Sequence, residues 1–177
     1  MIFDLDGVLV DSEIWWDEVR QAFAAAHGRS WGPDDQAAVM GANSAAWART
    51  MRERLRLDMD ATAIEAAIVD GVVDRYRREG PPIIDGAVAA VERIAAEHVV
   101  AVASSAHRAV IDAALGAIGL AQAFAVVVSS DEVAHGKPAP DVYLEAARRL
   151  GADPRSCLVV EDSRNGVAAA RAAGMTV

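Results

Sequence analysis

The sequence predicts an α/β fold: a Rossmann-like, doubly wound parallel sheet with a small all-helical cap inserted after strand 1. Three observations carry this. From residue 83 onward, helical stretches alternate with short, wholly apolar runs. Residues 11–82 carry helical stretches and no convincing strand. The chain also opens on Met1-Ile2-Phe3, an apolar run that leads straight into Asp4-Leu5-Asp6-Gly7. Strands covered on both faces by helices read as unbroken apolar runs rather than as alternating ones.

The elements follow in order. Residues 1–3 are the first strand, and helices are expected over 12–27, 34–40, 44–57 and 61–79. Gly80-Pro81-Pro82 punctuates the return to the sheet. Residues 85–98 place Val88, Val91, Ile94 and Ala95 at helical spacing, and 99–103 is the second strand. A helix over 107–118 ends at Gly119, and 124–128 is the third strand. A helix over 141–150 ends at Gly151, 158–160 is the fourth strand, and a helix over 164–173 ends at Gly174. Glycine takes the left-handed conformation that commonly closes a helix. Met175-Thr176-Val177 would begin a last strand. The division is a discontinuous core, residues 1–10 with 83–177, and a helical cap over 11–82. Only three residues precede Asp4 and the chain stops inside an edge strand, so that edge is expected to be truncated. A monomer is expected, or weak self-association through the open edge.

Composition narrows the function. The 177 residues are 53% hydrophobic, enough for a sizeable core, and carry a net charge of −9, which argues against binding a nucleic-acid backbone. No uncharged apolar stretch is long enough to cross a bilayer, and the acidic start does not read as a signal peptide. With a single cysteine, Cys157, no internal disulfide forms, and a cytoplasmic setting is expected. Of 17 Lys and Arg residues only Lys137 is lysine. A lone lysine in an arginine-rich chain points to a place where a compact point charge is needed.

Polar residues gather at the predicted strand ends. Side chains at i and i+2 of a strand point the same way, so Asp4 and Asp6 project together where ligands bind in open α/β sheets. Two carboxylates there suit a metal ion and acid–base or nucleophilic work. The second strand runs into Ser104-Ser105, the third leads to Gly136-Lys137-Pro138, and the fourth runs into Glu161-Asp162-Ser163. Each alone reads equally as a helix N-cap or a solvated charge. Together they put site chemistry at the end of four successive strands.

These motifs, in this order, resemble those of the haloacid dehalogenase superfamily of phosphotransferases, in particular members with a small helical cap after the first strand. The resemblance covers essentially the whole chain. It implies that Asp4 is the nucleophile that becomes an aspartyl-phosphate and that Asp6 is the general acid and base. It implies that Ser104 and Lys137 hold the phosphoryl oxygens. It also implies a Mg²⁺ site formed by Asp4, Asp6 through its backbone carbonyl, Asp162 and Glu161. Elementary physics agrees, since two carboxylates about 4 Å apart repel by about 4 kcal/mol at an effective dielectric near 20. Asp6, with an ordinary pKa near 4, needs a desolvated, capped site to act as an acid at neutral pH.

Departures from the family pattern bear on the substrate. Sugar-phosphate mutases of the family carry a cap arginine where Ser44 stands and a histidine where Trp16 stands. Both changes remove a grip on a second phosphate and favour a phosphatase over a beta-phosphoglucomutase-like phosphotransferase. Asp6 argues against dehalogenation, and a cap without lysine argues against phosphonate hydrolysis. Cys157 lies in a strand without a base. The remaining alternative is a non-catalytic binding or regulatory member, which has no need of Asp4, Asp6, Ser104, Lys137 and Asp162 together. The substrate is then a small phosphorylated metabolite such as a sugar phosphate. Its expected contacts are Ser105, Arg108 and Asn165, with Asn165 also placed to orient Lys137. His107 reads as an ordinary first-turn helix residue. All four tryptophans fall within 11–82, mostly as core, with one or two facing a substrate.

Overall fold

A computed structural model describes residues 1–177. Four parallel strands, β1 (Ile2–Phe3), β2 (Ala101–Ser104), β3 (Val126–Ser129) and β4 (Val159–Val160), lie in the order β3-β2-β1-β4. Ile2 and Phe3 pair with Ala101 and Val102 on one side and with Val159 and Val160 on the other. The chain's first apolar residues are thus the centre of the sheet.

Four helices separate β1 from the rest: α1 (Glu13–Ala26), α2 (Pro33–Val39), α3 (Ser44–Leu55) and α4 (Ala61–Glu79). Side chains start the last two, with Asn43 accepting from the Ala46 N–H and Asp60 from the Thr62 N–H. Then follow α5 (Ala87–Ala95), α6 (Arg108–Ala117), α7 (Asp141–Leu150) and α8 (Arg164–Ala172). Gly151 closes α7 in the left-handed region at φ 65°.

The pleat sorts the core into two layers. Ile2, Ala101 and Ala103 face Val142, Ala146 and Ala169, while Phe3 and Val102 face Ile111 and Leu115. The second layer runs on without a break into the helices before residue 80 through Ile64, Ile68, Val72 and Tyr76. There α4 packs on α6.

The boundaries differ from expectation in places. The helix before β2 ends at Ala95 instead of running to residue 98, and Val99 is 63% exposed, so β2 begins at Ala101. His107 is the N-cap of α6, its Nδ1 accepting from the Ala109 N–H, and not a first-turn residue. The expected last strand is a single bridge. Thr176 accepts from the Val159 N–H at 2.8 Å and donates to the Cys157 carbonyl at 3.2 Å, so β4 carries hydrogen bonds on its outer side.

Candidate active site

The strand ends bring the expected residues to one place. The Asp4 N–H still donates to the Val160 carbonyl at 3.0 Å, which holds Asp4 beside the loop that follows β4. Asp6 lies two residues on, and Ser104 ends β2. Lys137 arrives from the loop before α7, and Glu161 and Asp162 follow β4. Gly7, at φ +79°, turns the chain back so that its N–H donates to the Val10 carbonyl at 2.8 Å. A β-carbon at Gly7 would overlap the Asp162 carboxylate, so the turn needs glycine for its conformation and for room.

Lys137 is the hub. Its Nζ donates to Glu161 Oε2 at 2.7 Å, lies 2.9 Å from Asp4 Oδ1 and sits 4.9 Å above the Tyr143 ring. Its side chain is 3% exposed, so the sole lysine of the chain is enclosed by two carboxylates and an aromatic face. Glu161 is bound on both oxygens. Oε2 also accepts from the Tyr143 hydroxyl at 2.6 Å, and Oε1 accepts from the Asp162 and Ser163 N–H groups and the Ser163 hydroxyl. Ser12, fully buried, donates to Asp6 Oδ1.

Burial dominates the electrostatics. It pushes Asp4 well above the ordinary carboxylate range, Lys137 pulls it back, and Glu161 adds to the rise. Burial raises Asp6 to about 6, against the Ser12 hydrogen bond that favours its charged form. For Lys137 burial works against the charge, yet Asp4 and Glu161 outweigh it and the net shift is upward. Burial likewise opposes ionisation of Glu161, but Lys137 overcomes it and holds the group well below its usual value.

The donor set fits a hard divalent cation. Carboxylate oxygens of Asp4, Glu161 and Asp162 lie within 4.8 Å of one another. Asp4 Oδ1 is buried and receives no donor in hydrogen-bonding geometry. Oxygen-only ligands with surplus negative charge suit Mg²⁺ or Ca²⁺. Asp4 and Asp162 have free oxygens for such an ion, whereas those of Glu161 are taken up by Lys137, Tyr143 and the loop. Glu161, expected among the metal ligands, lies within that same reach and also holds Lys137.

Above these residues lies a cavity of about 380 Å³. Its floor is the strand-end cluster with Ser104 and Ser105, and Asn165 stands at its side. Asn165 makes no hydrogen bond with Lys137, whose Nζ donates to Glu161 and faces Asp4. It stands instead against Gly41, whose added β-carbon would lie 3.2 Å from Asn165 Nδ2. Arg108 is not in the cavity wall; it pairs with Asp112 at 2.9 Å and approaches Glu132 at 3.5 Å. The helices before residue 80 supply the roof, including Trp16, Trp47, Gln36 and Arg20. Trp15 and Trp31 lie outside it. Tyr143, Ser12 and Arg20 were not among the expected residues.

A family model, "haloacid dehalogenase-like hydrolase", matches residues 1–174. The chain is 32% identical over 185 residues to the fructose-1-phosphate phosphatase YqaB of Escherichia coli, covering 99% of this chain and 92% of that protein. It is 31% identical over 182 residues to a bifunctional riboflavin kinase/FMN phosphatase of Arabidopsis thaliana, covering all of this chain but 47% of that protein. Among solved structures, CbbY from Rhodobacter sphaeroides in complex with phosphate superposes with a TM-score of 0.86 at 24% identity. That superposition covers 98% of this chain and 82% of the other and speaks to the fold.

Proposed function

The chain belongs to the haloacid dehalogenase-like hydrolase family, and from that premise we propose that it is a phosphoric monoester hydrolase. The substrate is a small phosphorylated metabolite, a sugar phosphate or similar monoester. The observation that carries this reading is Lys137 Nζ, 2.9 Å from Asp4 Oδ1 and 2.7 Å from Glu161 Oε2, at the floor of a cavity that also holds Asp6 and Ser104.

On this reading Asp4 attacks the phosphorus. A bond forms between its carboxylate oxygen and phosphorus as the ester oxygen leaves, and Asp6 gives that oxygen its proton. Water then attacks the phosphorus, Asp6 takes the water's proton, and the Asp4–phosphorus bond breaks. Raised to about 6 by burial, Asp6 holds a proton near neutral pH far more often than an ordinary aspartic acid. The Ser104 hydroxyl, whose oxygen accepts from the Ala106 N–H, keeps its own proton for a phosphoryl oxygen. Lys137 neutralises charge between nucleophile and phosphoryl group.

Asp4 must be ionised to attack, and burial works against that. Mg²⁺, held by Asp4, Asp162 and the Asp6 backbone carbonyl, would supply the remaining positive charge. Residues 11–82 act as the cap that closes over the reacting group and excludes water. Transfer to a second hydroxyl, as in a mutase, is the competing outcome, because Arg20 gives the cavity a cation that could hold a substrate's second phosphate.

The test is phosphate release from p-nitrophenyl phosphate with Mg²⁺ and with excess chelator, for the parent and for Asp4→Asn. Release only by the parent with Mg²⁺ supports the reading. Equal release in chelator or in the Asn variant overturns it. Isomerised sugar phosphate without free phosphate would mark a mutase.

A further inference from the structure

In the scheme above the strand-end residues handle the reacting phosphoryl group, and the remainder of the substrate meets the helical roof. The roof contains a buried cation without an anion. Arg20 lies in α1 and is 5% exposed. Its guanidinium carbon sits 5.1 Å from the Trp16 ring centre and 5.2 Å from that of Trp47. One terminal nitrogen donates to Gln36 Oε1 at 3.1 Å, and the same oxygen accepts from Trp31 Nε1 at 3.2 Å, which sets the amide's orientation. Arg20 Nε is buried with no acceptor and no carboxylate oxygen lies within 4.0 Å of the group, though Asp17, one turn earlier, has a buried and unpartnered Oδ1 that favours the charge from further off.

A buried charge is normally matched by an opposite one. Two indoles and one neutral amide offset part of that cost but leave donors unused. Burial pulls the Arg20 pKa down to about 10, while Asp17 and Asp6 favour the charge at longer range, so it remains a cation at neutral pH. The other arginine at the cavity, Arg164, is exposed. Only the roof offers a dry, unpaired guanidinium.

We propose that Arg20 is a substrate-binding residue that takes a second anionic group, a carboxylate or a phosphate, at the end of the substrate remote from the reacting phosphoryl group. The proposal rests on the phosphatase reading and narrows its substrate class. A planar guanidinium suits a two-oxygen anion, which its fork of N–H donors can bind through both oxygens. The enzyme therefore selects monoesters with a charged far end over those ending in hydroxyls.

Two matched pairs of esters test this: 3-phosphoglycerate against glycerol 3-phosphate, and fructose 1,6-bisphosphate against fructose 1-phosphate. The parent should show a higher kcat/KM for the charged member of at least one pair, and the pair that responds tells carboxylate from phosphate. In Arg20→Met that ratio should fall tenfold or more, mainly through KM, and in Arg20→Lys by less, since the charge stays and the fork is lost. A parent without preference, or a ratio unmoved in the Met variant, overturns the proposal and leaves Arg20 a packing residue. Because Trp16 and Trp47 flank the guanidinium, tryptophan fluorescence titration with the same four esters reads selectivity without turnover. That separates the two readings: no phosphate release from any ester refutes the phosphatase, while tighter binding of the charged members still supports Arg20. If Arg20→Met fails to fold, the Lys variant and the parent titration decide, and equal binding within both pairs overturns the proposal.

Discussion

The hydroxyl of Tyr143 donates to Glu161 Oε2 at 2.6 Å, the same oxygen that receives Lys137 Nζ at 2.7 Å. Tyr143 thus steers the lysine twice, through the carboxylate that grips it and through the ring face beneath it. Tyr143→Phe keeps the ring and removes the donor. Loss of a hydrogen bond to a charged group costs about 2 kcal/mol. We expect a lower melting midpoint and about tenfold lower kcat, with KM little changed. Unchanged melting and turnover would show that the bond to Glu161 is idle.

Lys137→Arg keeps the charge but not the shape. With Asp4, Glu161 and the Tyr143 ring around a side chain 3% exposed, there is no room for a wider, planar fork. Turnover should fall by a hundredfold or more, equivalent to about 2.7 kcal/mol of transition-state stabilisation. Parent-like turnover would remove Lys137 from the chemistry.

Much of this was legible from local pattern. Ile2 and Phe3 are a two-residue strand, yet the two carboxylates that follow at i and i+2 need only the strand's alternation to meet. Lys137 stood out because no other lysine competes with it. What local pattern leaves open is where side chains find their partners, near or far along the chain. Tyr143 reads as the core face of α7, and only the loop after β4 puts a carboxylate at its hydroxyl. Glu161 beside Asp162 reads as a metal ligand, and its bonds to Lys137 and to N–H groups of its own loop give it a further role that spacing does not show. Arg20 belongs to no motif, and its burial comes from Gln36 and Trp47 on two other helices. Arg108 was placed by its nearness to Ser104 in sequence, but the first turn of α6 directs it to Asp112.

Gly7→Ala should damage metal use as well as stability. Holding alanine at φ +79° costs about 1–2 kcal/mol, and the new methyl group would push against the Asp162 carboxylate. The Mg²⁺ concentration for half-maximal activity should rise about tenfold or more. Gly119→Ala is the control, because φ there is +77° and nothing lies within 4 Å of the added carbon. It should show comparable strain and an unaltered Mg²⁺ requirement. Equal Mg²⁺ requirements in the two variants would separate Asp162 from the metal.

Metal-free protein should lose stability as pH rises from 5 to 8. Burial raises Asp6 from 3.8 to about 6, and raises Asp4 as well. Between those values the folded state holds protons that the unfolded chain has released. The resulting stabilisation is complete below the unfolded pKa and is lost as pH climbs through the folded one. Glu161, held low chiefly by Lys137 against its burial, acts with the opposite sign, but its contribution is lost only as pH falls below the ordinary carboxylate range. Above pH 5 Glu161 is ionised in both states and adds no slope. In chelator the melting midpoint at pH 5 should therefore exceed that at pH 8 by about 3 °C or more, and Asp6→Asn should flatten the difference by stabilising the pH 8 state. Added Mg²⁺ should raise the midpoint more at pH 8, where the carboxylates are ionised, than at pH 5. A metal-free midpoint that rises toward pH 8, with the Asn variant following the same curve, would mean that Asp6 titrates as an ordinary surface carboxylate and is no acid for the reaction.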